Sequence, residues 1–192
     1  MKKTQRILLL ITFALYCTAA TGQEVDTYVS NSFIKGQHNV SLSGTFQKIK
    51  TSPDVQNVKL FGPKIEVLYG FNDWLEAGVF VNYLGMSIPL NYHLPKYLHC
   101  GVESKAHLFP VIIKPSFSFI DIYGMAKIGS HTFFPNGIPQ LHTATGFFIS
   151  GGAGVAINLS RRWGVFCEWE YSNLKSSNMT VGLNFRFGGH KK

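Results

Sequence analysis

The stretch Met179–Phe187, "MTVGLNFRF", decides the fold of this chain. Every second residue in it is apolar, and the residues between are Thr180, Gly182, Asn184 and Arg186. Strict alternation predicts a β-strand with two unlike faces. The face that meets water distinguishes a soluble sandwich from a membrane barrel, because the two architectures put their apolar faces in opposite places.

The same alternation recurs in seven segments upstream, with no convincing helix between them. They cover residues 40–46, 62–70, 74–83, 100–108, 120–129, 149–159 and 165–171. Several are long enough to cross a bilayer, which takes about nine to eleven residues of a tilted strand. An even number of strands suits a closed barrel with both termini on one side. We therefore predict an all-β, eight-stranded, antiparallel, up-and-down transmembrane β-barrel.

The connections between these segments alternate in length. Short ones fall at Gly70–Asp73 and Ser160–Arg162, with an intermediate one at Pro110–Pro115. Longer ones fall around residues 48–57, 87–97 and 130–143, and a short link near 173–178 is the exception. Bacterial outer-membrane barrels have short periplasmic turns and longer external loops. Three of the four outer connections fit that rule.

The first residues have the layout of a secretory signal peptide. Lys2, Lys3 and Arg6 precede the apolar run Ile7–Tyr16, which is too short to span a bilayer as a helix. We expect cleavage after Gly22, or alternatively after Ala20. A lipoprotein site at Cys17 is disfavoured by the bulky Tyr16. The predicted organisation is a signal peptide at 1–22, an extension at 23–36, the barrel at 37–188 and a basic tail at 189–192.

The net charge indicates the type of partner, and the cysteine count indicates whether disulfides hold the fold together. The formal net charge is +8, and for an exported chain anionic lipid is a better counterpart than nucleic acid. No run of eighteen apolar residues follows the signal peptide, so helical spans are excluded. Only Cys100 and Cys167 remain after cleavage, and two thiols are no disulfide framework. We expect both to be free thiols on the lipid-facing side.

Three features indicate that the polar face lines the lumen. Glycines are frequent on it, and an eight-stranded barrel has room only for side chains inside. Charged residues make up 15% of the chain, against about a quarter in soluble proteins. The polar face carries acids and bases that can pair across a narrow lumen: Lys64, Glu66, Glu76, Glu103, Lys105, Asp121, Lys127, Glu168, Glu170 and Arg186.

Aromatic residues supply the third feature. They fall near both ends of the predicted strands, as the aromatic girdles of membrane barrels do. The predicted girdle residues are Tyr69, Phe71, Trp74, Tyr83, Trp163, Tyr171 and Phe187. A soluble sandwich with these rings in its core is the alternative. We predict that the apolar face meets lipid.

The chain resembles the small outer-membrane β-barrel proteins of Gram-negative bacteria, the class of the OmpA transmembrane domain and OmpX. The resemblance covers roughly Gln37 to Phe187 and is carried by the signal peptide, "NLSRRWGVFCEWEYSN" and the terminal "VGLNFRF". It implies an outer-membrane location. It also implies that Phe187 resembles the terminal aromatic read by the barrel-insertion machinery, although five residues follow it here.

The functional prediction is a non-enzymatic barrel with a structural or surface-interaction role, in which the lumen charges are salt bridges. A narrow channel is one alternative, with Glu103, Lys105, Glu168 and Arg186 as gating residues. A lipid A deacylase is another, since such enzymes resemble barrels with a late His-x-Ser-Asn motif. Here the stretch is Glu170-Tyr171-Ser172-Asn173, and a serine without a neighbouring base is a poor nucleophile.

No metal site or other cofactor is expected. His93, His99 and His107 surround one strand, but no cysteine or carboxylate completes a ligand set. The cations Lys48, Lys50, Lys59, Lys96 and Lys175 fall at the predicted outer ends. They are candidates to pair with lipopolysaccharide phosphates, or are ordinary soluble loop residues. Arg161, Arg162, Lys191 and Lys192 would face the periplasm.

Overall fold

The computed structural model describes residues 36–49, 58–88, 96–108, 120–135, 142–160 and 162–188. The predicted signal peptide with Cys17, nearly all of the extension and the basic tail lie outside these residues. So do Lys50, His93, the 110–115 connection and Arg161. The described residues contain no helix that is long and apolar enough to cross a membrane.

In the described residues, nine strands form one closed antiparallel sheet. They are β1 (Gln37–Ile49), β2 (Val58–Gly70), β3 (Leu75–Leu84), β4 (Met86–Ile88), β5 (Lys96–His107), β6 (Ile120–Phe134), β7 (Ala144–Asn158), β8 (Trp163–Ser172) and β9 (Ser176–Gly188). Strands that are consecutive along the chain pair with each other, except that β4 pairs with β2 and β3 pairs directly with β5. β9 pairs with β1 to close the barrel. Because β4 continues β3 along β2, the wall has eight strands. The predicted eight-stranded barrel is confirmed.

A β-bulge separates β3 from β4. Lys64 of β2 pairs with Asn82 and Phe61 pairs with Met86, so two residues of β2 oppose three residues of the other strand. One of the two is Pro63, which has no N–H to donate. Proline is tolerated in a sheet at such a bulge because the ladder is already interrupted there.

The two short turns at one end of the barrel are stabilised by side chains. Between β2 and β3, Oδ1 of Asn72 accepts hydrogen bonds from the backbone N–H groups of Trp74 at 3.0 Å and Leu75 at 2.8 Å. Between β7 and β8, Oγ of Ser160 accepts from the N–H groups of Arg162 and Trp163. We call this end, where β1 begins and β9 finishes, the short-turn end, and the opposite end the rim.

The strands run further toward the rim than the sequence prediction placed them. β6 continues to Phe134, inside the predicted 130–143 connection, and β7 begins at Ala144, before the predicted segment 149–159. Two outward-facing residues there, Thr132 and Thr145, are polar and share a hydrogen bond of 3.2 Å across the strands. Apolar alternation is needed only where the wall meets hydrocarbon, so it is lost before the backbone pairing ends.

Candidate functional site: a charged lumen

Alternation directs the charged face inward throughout the barrel. On β9, Met179, Val181 and Leu183 are exposed, whereas Thr180 and Asn184, at alternate positions, are buried. All ten residues of the predicted charge set face the lumen and are at most 5% exposed. They lie on six strands and are separated by up to 122 residues of sequence (Lys64 to Arg186), so only barrel closure brings them together.

The centre of the lumen holds two lysines among three glutamates. Nζ of Lys105 lies 2.9 Å from Glu66, 2.5 Å from Glu168 and 3.6 Å from Glu103. Nζ of Lys64 forms an ion pair with Glu66 and lies 3.0 Å from Glu168 and 3.6 Å from Glu103. Charges removed from water require such partners. We call these five residues the central cluster.

Aromatic rings enclose the central cluster on one side. The hydroxyl of Tyr123 donates to Oε1 of Glu168 at 3.0 Å, and Nζ of Lys105 lies 5.2 Å from the ring centroids of Tyr123 and Phe166. A Cβ on Gly154 would come within 2.5 Å of the Tyr123 ring, so glycine there admits the ring into the lumen. The predicted set omitted Tyr123, although its spacing of two from Asp121 places it on the same face.

A second ion pair lies toward the rim. Nζ of Lys127 is 2.5 Å from Oε2 of Glu170, whose other oxygen accepts a hydrogen bond of 3.2 Å from Asn178. The same ammonium group lies 5.6 Å from the Phe80 ring centroid. Each oxygen of Glu170 therefore has a partner.

Toward the short-turn end, His107 lies between two carboxylates. Its Nδ1 is 2.7 Å from Asp121 and its Nε2 is 3.3 Å from Glu76, which also accepts a hydrogen bond of 3.3 Å from Asn39. These residues and Arg186 line a cavity of about 10 Å³, room for about one water. His107 was not included in the predicted charge set.

Among the described residues, the central glutamates are the one group of three or more His, Cys, Asp or Glu side chains that lie close enough to share a metal ion. One carboxylate oxygen from each of Glu66, Glu103 and Glu168 lies within 4.8 Å of the others. The ammonium groups of Lys64 and Lys105 already lie among these oxygens. They supply the positive charge that a cation would bring, so this arrangement is an ion-pair cluster.

The predicted girdle residues all lie on the outside of the barrel. Tyr69, Phe71, Trp74, Trp163 and Phe187 are exposed at or near the short-turn end, and Tyr83 and Tyr171 are exposed toward the rim. Tyr69 and Phe71 pack edge to face, with ring centroids 5.4 Å apart. Cys167 is exposed and Cys100 half-buried, and both are free thiols on strands that are not neighbours.

Solved structures with the same architecture come from several bacteria. Ail, the attachment invasion locus protein of Yersinia pestis, is 18% identical over 80% of this chain and all of that chain, with a TM-score of 0.54. A second Ail structure, in complex with the heparin analogue sucrose octasulfate, has 17% sequence identity and a TM-score of 0.53, with the same coverage of both chains. Neisserial surface protein A has 15% sequence identity and a TM-score of 0.60, again over 80% of this chain and all of the other.

At these identities the structural neighbours establish the fold alone. Among curated protein sequences no match is found. The family model described as "outer membrane protein beta-barrel domain" matches residues 7–187, nearly the whole chain. It confirms both the resemblance drawn from the sequence and the outer-membrane location. The chain belongs to the outer-membrane protein β-barrel family.

Proposed function

We propose that this protein is a non-enzymatic outer-membrane barrel with a closed lumen and a rim that contacts anionic molecules outside the cell. The observation that carries the proposal is the central cluster. Its five charged side chains are almost fully buried and cross-linked at mid-barrel. A lumen filled in this way supports the barrel and leaves interaction to the rim and loops.

The packing of the lumen argues against the channel alternative. Eight strands leave an interior just wide enough for side chains, and Lys64 and Lys105 bridge it at the level of the three glutamates. A hydrated ion could pass only if several ion pairs broke together. Breaking one buried pair costs about 3–5 kcal/mol, so spontaneous opening would be rare.

In planar lipid bilayers we therefore expect the purified protein to give no discrete conductance steps. Glu168→Gln serves as the companion variant, since it removes one carboxylate charge from the central cluster without changing its size. Stable openings in the wild type, altered in unitary conductance by Glu168→Gln, would instead establish a channel.

Two rim lysines support an anionic partner. Lys48 of β1 and Lys59 of β2 are directly opposite in the sheet, and both are exposed. Like charges in this position repel each other, and an anion between them would relieve the repulsion. One step toward the membrane, the Phe46 and Phe61 rings pack with centroids 4.7 Å apart. A phosphorylated glycolipid carries phosphate groups above acyl chains. Its phosphates would lie at the lysines and its acyl chains against the aromatic rings.

The proposed partner is the lipopolysaccharide phosphate layer. Ail, a protein of the same fold, has been crystallised with a polysulfated sugar, which supports a polyanion as the type of ligand. Lys96 and Lys175 are at the same end of the barrel. The exposed Arg162 is at the short-turn end, where it would face the periplasm.

The double variant Lys48→Gln/Lys59→Gln is expected to weaken binding to vesicles containing lipopolysaccharide by about thirtyfold, because each of the two cations near an anionic surface contributes about 1 kcal/mol. Co-flotation of the refolded protein with vesicles measures the change, and rising salt should reduce it. Arg162→Gln is the matched control and should bind like the wild type. Equal binding by the wild type, the double variant and the control would show that the rim lysines do not contribute to lipopolysaccharide binding.

The deacylase alternative depends on Ser172, whose hydroxyl is buried and 2.8 Å from that of Ser176. A second hydroxyl is not a general base, so this contact provides no activation. Asn173 accepts a hydrogen bond from the backbone of Ile149 and shapes the turn. Incubation of purified lipid A with the protein is expected to release no acyl chains. Release that Ser172→Ala abolishes would reverse this part of the proposal.

A further inference from the structure

Two histidines face each other inside the rim, beyond the charged clusters. His99 of β5 and His131 of β6 are direct cross-strand partners. Their ring centroids are 6.3 Å apart and their planes are nearly perpendicular, at 88°. Asn82 of β3 is the partner of His99 on its other side. One row of the sheet thus points three nitrogen- or oxygen-bearing side chains into the lumen.

One polar side-chain atom of each residue in this row lacks a partner. Within the described part of the chain, Nε2 of His99, Nδ1 of His131 and Oδ1 of Asn82 are buried and accept or donate no hydrogen bond. His99 is 2% exposed and Asn82 is 5% exposed. Because buried polar atoms nearly always have a partner, three orphaned atoms in one row indicate a group supplied from outside the chain.

Neighbouring residues position the two rings. Gly146 of β7 is the partner of His131, and a Cβ there would lie 2.5 Å from Cε1 of the imidazole. Glycine therefore makes the room that the His131 ring occupies. Phe148, also on β7, packs against His99 with centroids 5.2 Å apart and planes 30° from parallel. A ring held by packing loses little freedom when it binds a ligand.

We infer that His99 and His131, together with the amide oxygen of Asn82, bind one divalent transition-metal ion at the rim end of the lumen. With metal–nitrogen bonds of about 2.1 Å, two imidazoles sharing an ion have ring centroids roughly 5–6.5 Å apart. The observed 6.3 Å falls in this range. Imidazole suits zinc, copper and nickel, and the hard cations magnesium and calcium prefer oxygen.

The charged residues nearer the middle of the lumen do not repel a divalent cation at this site. Lys127 faces the same lumen four residues before His131, but it is paired with Glu170 at 2.5 Å, so the pair carries no net charge. His131 is only partly buried. An ion would thus enter from outside the cell, with water completing its coordination. The site is independent of the rim lysines, which point outward.

The test is calorimetric titration of the refolded, untagged mature chain in detergent with copper, nickel or zinc chloride. We expect one ion per barrel, with copper bound most tightly, as imidazole sites order these metals. His99→Gln and His131→Gln should each weaken binding at least about tenfold. His38→Gln is the matched control, because His38 is exposed near the short-turn end and packs against Tyr69. It should leave binding unchanged.

Electron paramagnetic resonance of the copper-loaded wild type gives a second readout that does not depend on how any variant folds. The expected spectrum shows superhyperfine coupling of the copper electron spin to two imidazole nitrogens. Coupling to fewer than two nitrogens, the absence of saturable binding, or an affinity that neither histidine substitution changes would each overturn the inference.

Discussion

Lys105→Met is expected to lower the free energy of unfolding of the barrel by about 3–5 kcal/mol, the usual cost of removing one partner from a buried ion pair. Lys105 contacts Glu66, Glu103 and Glu168, and its ammonium group is almost fully buried. Without it, the three carboxylates retain Lys64, and Lys127 lies 3.6 Å from Glu103 and 3.9 Å from Glu168. Methionine keeps most of the volume, so the loss measures charge and not a cavity.

Urea titration of the protein in lipid vesicles, followed by the heat-dependent shift in gel migration, measures this change. Lys48→Met is the control, since Lys48 is exposed at the rim, and its effect should stay below about 1 kcal/mol. Adding Glu168→Gln to Lys105→Met should restore part of the stability, because it removes one negative charge from a cluster that has lost a cation. A loss no larger than that of the control would mean that water reaches the central cluster.

Val181→Arg is expected to destabilise the barrel by about 2–4 kcal/mol, the cost of a cation on the lipid face near the bilayer midplane. Val181 is exposed in the middle of β9, between Cys167 of β8 and Gly44 of β1. The cost arises because hydrocarbon cannot solvate the guanidinium group. In a soluble barrel the same substitution on an exposed position would cost almost nothing.

Leu159→Arg provides the depth control for this prediction. Leu159 is also an exposed aliphatic residue but lies just beyond β7 at the short-turn end, where an arginine should cost only about 0–1 kcal/mol. Both variants are compared by the same urea titration in vesicles. Equal costs at the two depths would contradict the position assigned to the bilayer.

The strand arrangement could be predicted because period two and the polarity of alternate residues coincide through most of the wall. Met179–Phe187 and the seven related segments coincide with strands of the structure, and three of the segments extend one residue beyond a strand end. The ends of strands were less predictable. Toward the rim, as at Thr132 and Thr145, outward-facing residues can be polar while the backbone remains paired, so the apolar alternation ends before the strand does.

The candidate site was likewise predictable only in part. The position of Glu168 or Lys105 in an alternating segment predicts which face of the sheet the residue lies on. The contact between Lys64 and Glu168, which are 104 residues apart, cannot be predicted from that position. Tyr123 and His107 share the parity of the charged residues, but their hydrogen bonds to Glu168 and Asp121 depend on how the strands are staggered.

The sequence by itself determined that this protein is a barrel with an apolar outside and a charged inside, since alternation assigns every residue to one of two faces. The tertiary structure decided which charges meet, which atoms in the Asn82–His99–His131 row lack partners, and where the lumen closes. The physical reason is that ion pairs and ligand geometry act over about 3–4 Å between distant strands. Those distances are fixed only by the register and closure of the whole sheet.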